Sequence, residues 1–225
     1  MQLPRLYAIL DASFFSDSTA LFAAAGELVS AGCTLIQYRN KSGNAREMLE
    51  HARELKERVS IQDHNPHFSQ SAREMGHPAI TESSIQLIMN DRADLCIAAG
   101  FDGVHVGQDD LAPESVREII GPDRWLGVST HNPAQLAEAD KTSADYLAIG
   151  PVFATASKEN PDPVIGLDGV RRARELTRKP LVAIGGITRA NAASVIAAGA
   201  DAVAVISDLL RDPRKSAEEF FRILR

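Results

Sequence analysis

The sequence predicts an α/β fold built as one closed barrel of eight parallel strands. Three observations carry that reading. Short apolar runs alternate with helical stretches eight times along the 225 residues, and strands separated by helices pair in parallel. The runs are nearly continuous in apolar residues, as strands buried on both faces must be. Polar residues also gather where run after run ends, which is where the mouth of such a barrel lies. Eight repeats favour closure over an open doubly wound sheet, the structural alternative. The length suits a (β/α)8 TIM barrel, which needs roughly 200 residues or more.

The elements follow in order. Residues 6–10 read as the first strand and 19–30 as an Ala-rich helix. The second strand spans 33–38, with a strongly helical stretch at 45–59. The third lies at 85–89, backed by a short helix at 94–99. Strand four is 104–106, and Pro113 suits the first turn of the helix running to 120. Strand five is 125–128, with Pro133 opening a helix through 139. Strand six is 146–149; its helix comes late, near 167–176. Strand seven is 181–184 with a helix at 190–198. Strand eight is 202–206, and 217–224 closes the chain. No linker, repeat array or low-complexity segment argues for a second domain, so residues 1–225 are expected to form one.

One segment breaks the rhythm. Residues 60–84 make a connection longer than is usual between a helix and a strand, expected as an insertion or a partly ordered loop. It holds His64, His67 and His77. No cysteine or regular carboxylate spacing accompanies them, so they read as solvated loop histidines rather than metal ligands. A lid or an oligomer contact would also fit the segment, and a homo-oligomer is compatible with the chain.

A net charge of −6 and a pI near 5.5 disfavour a general nucleic-acid binder, which needs a basic surface. Cations at the mouth must therefore act locally. Cys33 and Cys96 lack a C-x-x-C spacing and are expected to be reduced and buried. The amino terminus runs straight into a strand-like segment with no signal peptide, and no apolar run approaches a membrane span. A soluble, cytoplasmic protein is expected.

Several strand endings carry candidate chemistry. Alternation along residues 34–41 points Gln37, Arg39 and Lys41 one way. Asp91 and Asp110 stand nineteen residues apart, about one strand-plus-helix repeat. Neighbouring strands lie about 4.8 Å apart, so the two carboxylates can share one hard cation, and with Asn90 beside them Mg2+ is suited. The competing reading is helix capping; Arg39, Lys41 and Lys158 at the same mouth weigh against it. Gly185-Gly186 and Ile206-Ser207 end strands seven and eight, the common phosphate site of such barrels. The long loop of residues 150–166, with Thr155, Ser157 and Lys158, could close over a ligand and neutralise a diphosphate. Ser129 could donate a further hydrogen bond. His105 reads as a satisfied core histidine, whereas His131, nearer the mouth, is as readily explained by helix-entry packing.

No Walker-type phosphate loop, serine-hydrolase elbow or dinucleotide fingerprint is present, so nucleotide hydrolysis, serine hydrolysis and nicotinamide chemistry lack support.

Seven segments in register resemble the thiamine-phosphate synthase family: Gln37-x-Arg39-x-Lys41, Asn90-Asp91, the Gly103 to Asp110 run, Gly127-Val128-Ser129, the Gly150 to Lys158 run, Ala183 to Ile187, and Ile206-Ser207. The resemblance implies a transferase of thiamine biosynthesis that joins a hydroxymethylpyrimidine diphosphate to a hydroxyethylthiazole phosphate, releasing pyrophosphate by a dissociative route. It implies that Gln37, Arg39, Lys41, Asn90, Ser129 and Lys158 bind the pyrimidine diphosphate. Asp91 and Asp110 would hold Mg2+, and Thr155, Ser157, Gly186, Ile206 and Ser207 would bind the thiazole phosphate. Lys158, Arg39, Lys41 and Ser129 would carry the catalysis. Two departures stand out: residues 60–84 are longer than the family pattern, and Ser157 replaces a common threonine while keeping the hydroxyl. The alternatives are a thiazole tautomerase-like isomerase, which needs no diphosphate site, and a noncatalytic phosphate-binding barrel.

Overall fold

The structure is a computed structural model describing residues 3–63, 85–155 and 162–225, in which eight parallel strands close into a barrel in chain order. They are β1 (Leu6–Asp11), β2 (Leu35–Arg39), β3 (Gln86–Asn90), β4 (Gly103–Val106), β5 (Trp125–Thr130), β6 (Tyr146–Ile149), β7 (Leu181–Ile184) and β8 (Ala202–Val205). Closure is made by β8 on β1, with Leu6 opposite Val203 and Ala8 opposite Val205. The protein is therefore a TIM barrel, as the alternation of elements required.

Period-two alternation explains why the strand sequences lack a polar face. In β1, Tyr7 and Ile9 point into the barrel, while Leu6, Ala8 and Leu10 pack outward under the helices. Leu35, Ile88, Tyr146, Ala148, Val182, Ala202 and Ala204 fill the interior with them, so it is a packed core and no pore. Helix starts follow local chemistry. Asp17 accepts from Ala20 N (2.9 Å) ahead of Ser18–Ser30, and Asn132 from Gln135 N (3.0 Å) ahead of Pro133–Asp140. Gly100 ends Ala93–Ala99 in the left-handed conformation, φ 68°.

The face at the amino ends of the strands carries a repeated device that the sequence reading missed. Asp102, Asp145 and Asp201 each precede an even-numbered strand and accept from a backbone amide of the strand before it. The distances are 2.9 Å to Leu87 N, 2.7 Å to Leu126 N and 2.8 Å to Leu181 N. Each carboxylate also binds a helix cation: Lys56, Arg117 and Arg174 respectively. These aspartates tie helices to the barrel far from its mouth, a stabilising role.

Boundaries differ from expectation in a few places. β2 runs to Arg39 and β5 to Thr130, so Arg39 and Ser129 sit on the strands themselves. The helix expected to end at 59 continues as Ala45–Asp63, so positions 60–63 belong to it and not to the long connection. The rest of that connection, including His64, His67 and His77, lies outside the described residues. Two short elements were not anticipated: a 3-10 turn, Ala12–Phe14, and a helix, Ser207–Leu210. The helix after β7 is shorter than expected, Ala192–Ala197. The closing helix is Pro213–Ile223, starting earlier than 217 because Asp212 and Pro213 form its cap and first turn. Cys33 and Cys96 are free and buried, as expected. Burial pushes both thiols up, that of Cys96 to about 12.

Candidate active site

The carboxyl ends of β1 to β5 bring the first set of predicted residues together. Gln37 and Arg39 lie on the inward face of β2. Arg39 forms an ion pair with Asp11, a buried residue at the end of β1 that the sequence reading overlooked. Asp11 also accepts from Ser13 N (3.0 Å) and Ser13 Oγ (2.7 Å), which fixes its carboxylate beneath the guanidinium. Lys41, just past β2, reaches across to pair with Asp91 beyond β3. Asn90 is the buried last residue of β3.

Asp91 sits in an unusual backbone conformation. Its φ is 63°, the one positive value among the described non-glycine residues, and Arg92 N bonds back to Asn90 O at 2.8 Å. This is a γ-turn with a left-handed centre, a strained geometry that persists only where the surroundings hold it. The hold comes from Asp91 N donating to His105 O (2.8 Å). Asp110 adjoins the Asp91 carboxyl. Burial chiefly raises the Asp91 pKa, Lys41 opposes that, and the Asp110 carboxylate raises it further. Asp110 is held by Gly107 N donating to its Oδ2 at 2.8 Å. Neither aspartate caps a helix: Arg92 and Ala112 occupy the cap positions, without side-chain bonds. Among the described residues no group of three or more His, Cys, Asp or Glu could hold a metal. A cation on this carboxylate pair would thus need ligand oxygens and water to complete its shell, which is how Mg2+ is ordinarily bound.

Ser129, half-buried at the end of β5, connects the mouth to the interior. His105 Nε2 lies 2.8 Å from Ser129 Oγ, and His105 Nδ1 lies 3.1 Å from Tyr146 Oη. Tyr146 Oη is 2.9 Å from Tyr7 Oη, and Gln37 Nε2 donates to Tyr7 Oη at 2.8 Å. The core reading of His105 holds, since it is buried and bonded, but its partner is a predicted site residue. Burial pushes its pKa down to about 4, with the Asp110 charge opposing, so the ring is neutral near pH 7. Gly127 makes room for the contact: a Cβ there would lie 2.1 Å from Tyr146 Cζ and 2.3 Å from His105 Nδ1. Tyr7, Tyr146 and Gly127 were missed as supports of the site. The signal available was strand alternation, which puts polar side chains at inward positions that ordinarily hold aliphatic ones.

The ends of β6 to β8 form the other arc of the rim. Gly185 and Gly186 have φ of 99° and 62°. Their bare α-carbons also accept close packing of the β6 loop: a Cβ on Gly186 would sit 2.4 Å from Ala154 O, and one on Gly185 would sit 2.5 Å from Pro151 Cβ. The two loops are stitched by Val152 N to Ile184 O (2.9 Å) and Phe153 N to Gly185 O (3.0 Å). The described structure thus gives these glycines a packing reason alongside the anion-binding one expected. Ile206 and Ser207 follow β8 on the same arc, and Thr155 lies in the β6 loop. His131 packs there too, its Nδ1 2.8 Å from Gly150 O and 3.5 Å from Asp162. Ser157 and Lys158 lie outside the described residues.

Barrel and rim together define a TIM-barrel protein of the enzyme kind, a class that carries its chemistry at the carboxyl ends of its strands. Comparison with known proteins narrows this. The family model of thiamine monophosphate synthase matches residues 6–209. A thiamine-phosphate synthase of Koribacter versatilis is 58% identical, covering 100% of this chain and 97% of that protein. One from Chloroflexus aurantiacus is 41% identical over 90% of this chain and 83% of its own. Among solved structures, a thiamine phosphate pyrophosphorylase from Pyrococcus furiosus superposes with a TM-score of 0.79 at 32% identity, covering 98% of this chain and 95% of that one. The chain belongs to the thiamine monophosphate synthase family and is a transferase. No helix of the described residues is long and apolar enough to cross a membrane.

Proposed function

We propose that the enzyme joins hydroxymethylpyrimidine diphosphate to hydroxyethylthiazole phosphate in a Mg2+-dependent reaction, giving thiamine monophosphate and pyrophosphate. The observation that carries this reading is the convergence of Arg39 and Lys41 with the adjoining Asp91 and Asp110 at one rim. Two cations and a carboxylate pair suit a diphosphate with its metal, a demand that an isomerase of thiazole substrates does not have.

On this reading Gln37, Arg39, Lys41, Asn90 and Ser129 bind the pyrimidine diphosphate, joined by Lys158 from the loop of residues 150–166. Asp91 and Asp110 fit Mg2+, which would supply charge neutralisation to the diphosphate oxygens. Gly186, Ile206 and Ser207 on the opposite arc bind the thiazole phosphate, joined by Thr155 and Ser157 from the loop of residues 150–166. The reaction is dissociative. The bond between the pyrimidine methylene carbon and the diphosphate oxygen breaks, its electron pair leaving with the diphosphate. The thiazole nitrogen then gives its lone pair to the methylene cation. The protein supplies no nucleophile. Arg39, Lys41 and Lys158 stabilise negative charge growing on the leaving group, Ser129 donates a hydrogen bond to it, and the two arcs hold the reactants for capture. Cytoplasmic location fits this reaction.

The test is to mix both substrates with Mg2+ and follow pyrophosphate and thiamine monophosphate together. Equimolar formation of both supports the reading. An isomerised thiazole phosphate without pyrophosphate would favour the tautomerase, and binding without turnover the noncatalytic barrel.

A further inference from the structure

We propose that Tyr7, Tyr146 and His105 form a one-way hydrogen-bond relay through the barrel interior, which fixes the Nε2–H tautomer of His105 and leaves the Ser129 hydroxyl proton free to point into the mouth. Tyr7 and Tyr146 are then positioning residues for the reaction. The inference deepens the proposed function, because it rests on Ser129 serving there as a donor to the diphosphate.

The direction follows from counting protons along five side chains. Gln37 Nε2 can only donate, so Tyr7 Oη receives its hydrogen. Tyr7 must place its own phenolic proton elsewhere. Its side-chain partners are Gln37 and Tyr146, and both tyrosines are fully buried, with burial raising the pKa of each. The proton therefore goes to Tyr146 Oη. Tyr146 in turn has one proton and one remaining partner, His105 Nδ1, which must accept it. A neutral imidazole accepting at Nδ1 carries its hydrogen at Nε2, and that hydrogen is directed at Ser129 Oγ. Ser129 accepts, and its hydroxyl proton is left for the half-open mouth.

With Gln37 presenting its NH2 to Tyr7, the reverse polarity leaves a phenolic proton without an acceptor in an apolar interior, which burial penalises. Among the described residues Ser216 Oγ is the one buried side-chain oxygen or nitrogen lacking a partner, so the relay is otherwise closed. Gly127 adds independent support. Any side chain there would overlap both Tyr146 Oη (2.4 Å) and His105 Nδ1 (2.3 Å), so the bare α-carbon is what lets the two atoms of the tautomer-setting bond meet.

Heteronuclear NMR on the full-length protein with isotope-labelled histidine reads the tautomer directly, the His105 signals being identified by their loss in His105→Asn. The relay predicts a protonated Nε2 and a bare Nδ1. In Tyr146→Phe the single tautomer should give way to a mixture. Turnover should fall roughly tenfold, the worth of one neutral hydrogen bond, with KM for both substrates within about twofold. That fall should vanish in a Ser129→Ala background. An Nδ1–H tautomer in the unmodified protein overturns the proposal, as does a Tyr146→Phe loss that adds in full to that of Ser129→Ala. The unmodified spectrum decides by itself even if Tyr146→Phe does not fold. It is recorded without substrates, so the relay and the proposed reaction can fail separately.

Discussion

Asp11 and Arg39 are register partners at the carboxyl ends of β1 and β2, and the buried Asp11 carboxylate pairs with the Arg39 guanidinium. A floppy arginine is thereby held at the rim, which on the proposed function would lower the ordering cost of binding the diphosphate.

Asp11→Asn should therefore act on catalysis more than on folding. The amide can still accept from Ser13 N, so the local turn survives, while the charge that orients Arg39 is gone. Turnover should fall by about tenfold to a hundredfold, with an unchanged circular dichroism spectrum. Steady-state kinetics beside a thermal melt check this; wild-type turnover would mean that Arg39 needs no orienting partner.

The left-handed backbone at Asp91 makes a sharper test of local strain. Asp91→Ala and Asp91→Gly both delete the carboxylate, but only glycine adopts φ 63° without a Cβ penalty. The alanine variant should be less stable by about 1 kcal/mol. Urea denaturation of the pair measures this, and an alanine variant as stable as the glycine one refutes the strain.

Gly127→Ala is expected to cost about 3 kcal/mol, since its Cβ would overlap the buried Tyr146 ring at 2.1 Å. Denaturant midpoints provide the check. A loss under half a kilocalorie would show that the interior relaxes freely there.

His105 should make stability pH-dependent, and the sign follows from its depressed pKa. The unfolded histidine takes up a proton as pH falls through 6.5, whereas the folded one resists until about 4. The unfolded state binds more protons in that window, so this contribution is complete above pH 6.5 and disappears toward pH 4. At full extent it amounts to about 3 kcal/mol. Wild type should lose correspondingly more stability than His105→Gln between neutral and mildly acidic pH; equal losses would place the effect elsewhere.

By contrast, Asp102→Ala on the opposite face should cost about 1–3 kcal/mol, because Leu87 N loses its acceptor, yet leave kcat/KM unchanged. A kinetic defect at equal folded fraction would contradict the division between a stabilising face and a reacting one.

Much of this was legible in the chain because alternation and apolar continuity are local properties. Eight apolar runs gave eight strands, and Arg39, Lys41, Asp91, Asp110 and Ser129 came to one rim because each ends or follows a strand. What escaped was pairwise. Asp11 carries no local motif, and its meaning appears only when β1 and β2 are laid side by side with Asp11 opposite Arg39. Tyr7 and Tyr146 carry no local motif either, and their phenols meet, 2.9 Å apart, only once β1 and β6 face each other across the closed barrel. The glycines after β7 suggested anion binding, and the packing of the β6 loop against them could not be read from one segment. The helix continues to Asp63 because no glycine or proline interrupts residues 60–63, although their propensities are middling.

Pyrophosphate release in a single turnover, compared between wild type, Lys41→Ala, Asp91→Asn and Lys158→Ala at saturating Mg2+, tests most directly whether this rim draws off the leaving group. Each folded variant should release pyrophosphate at least about a hundredfold more slowly than wild type, with release and product formation slowed alike. Wild-type release rates in the folded Asp91→Asn and Lys158→Ala proteins would contradict it.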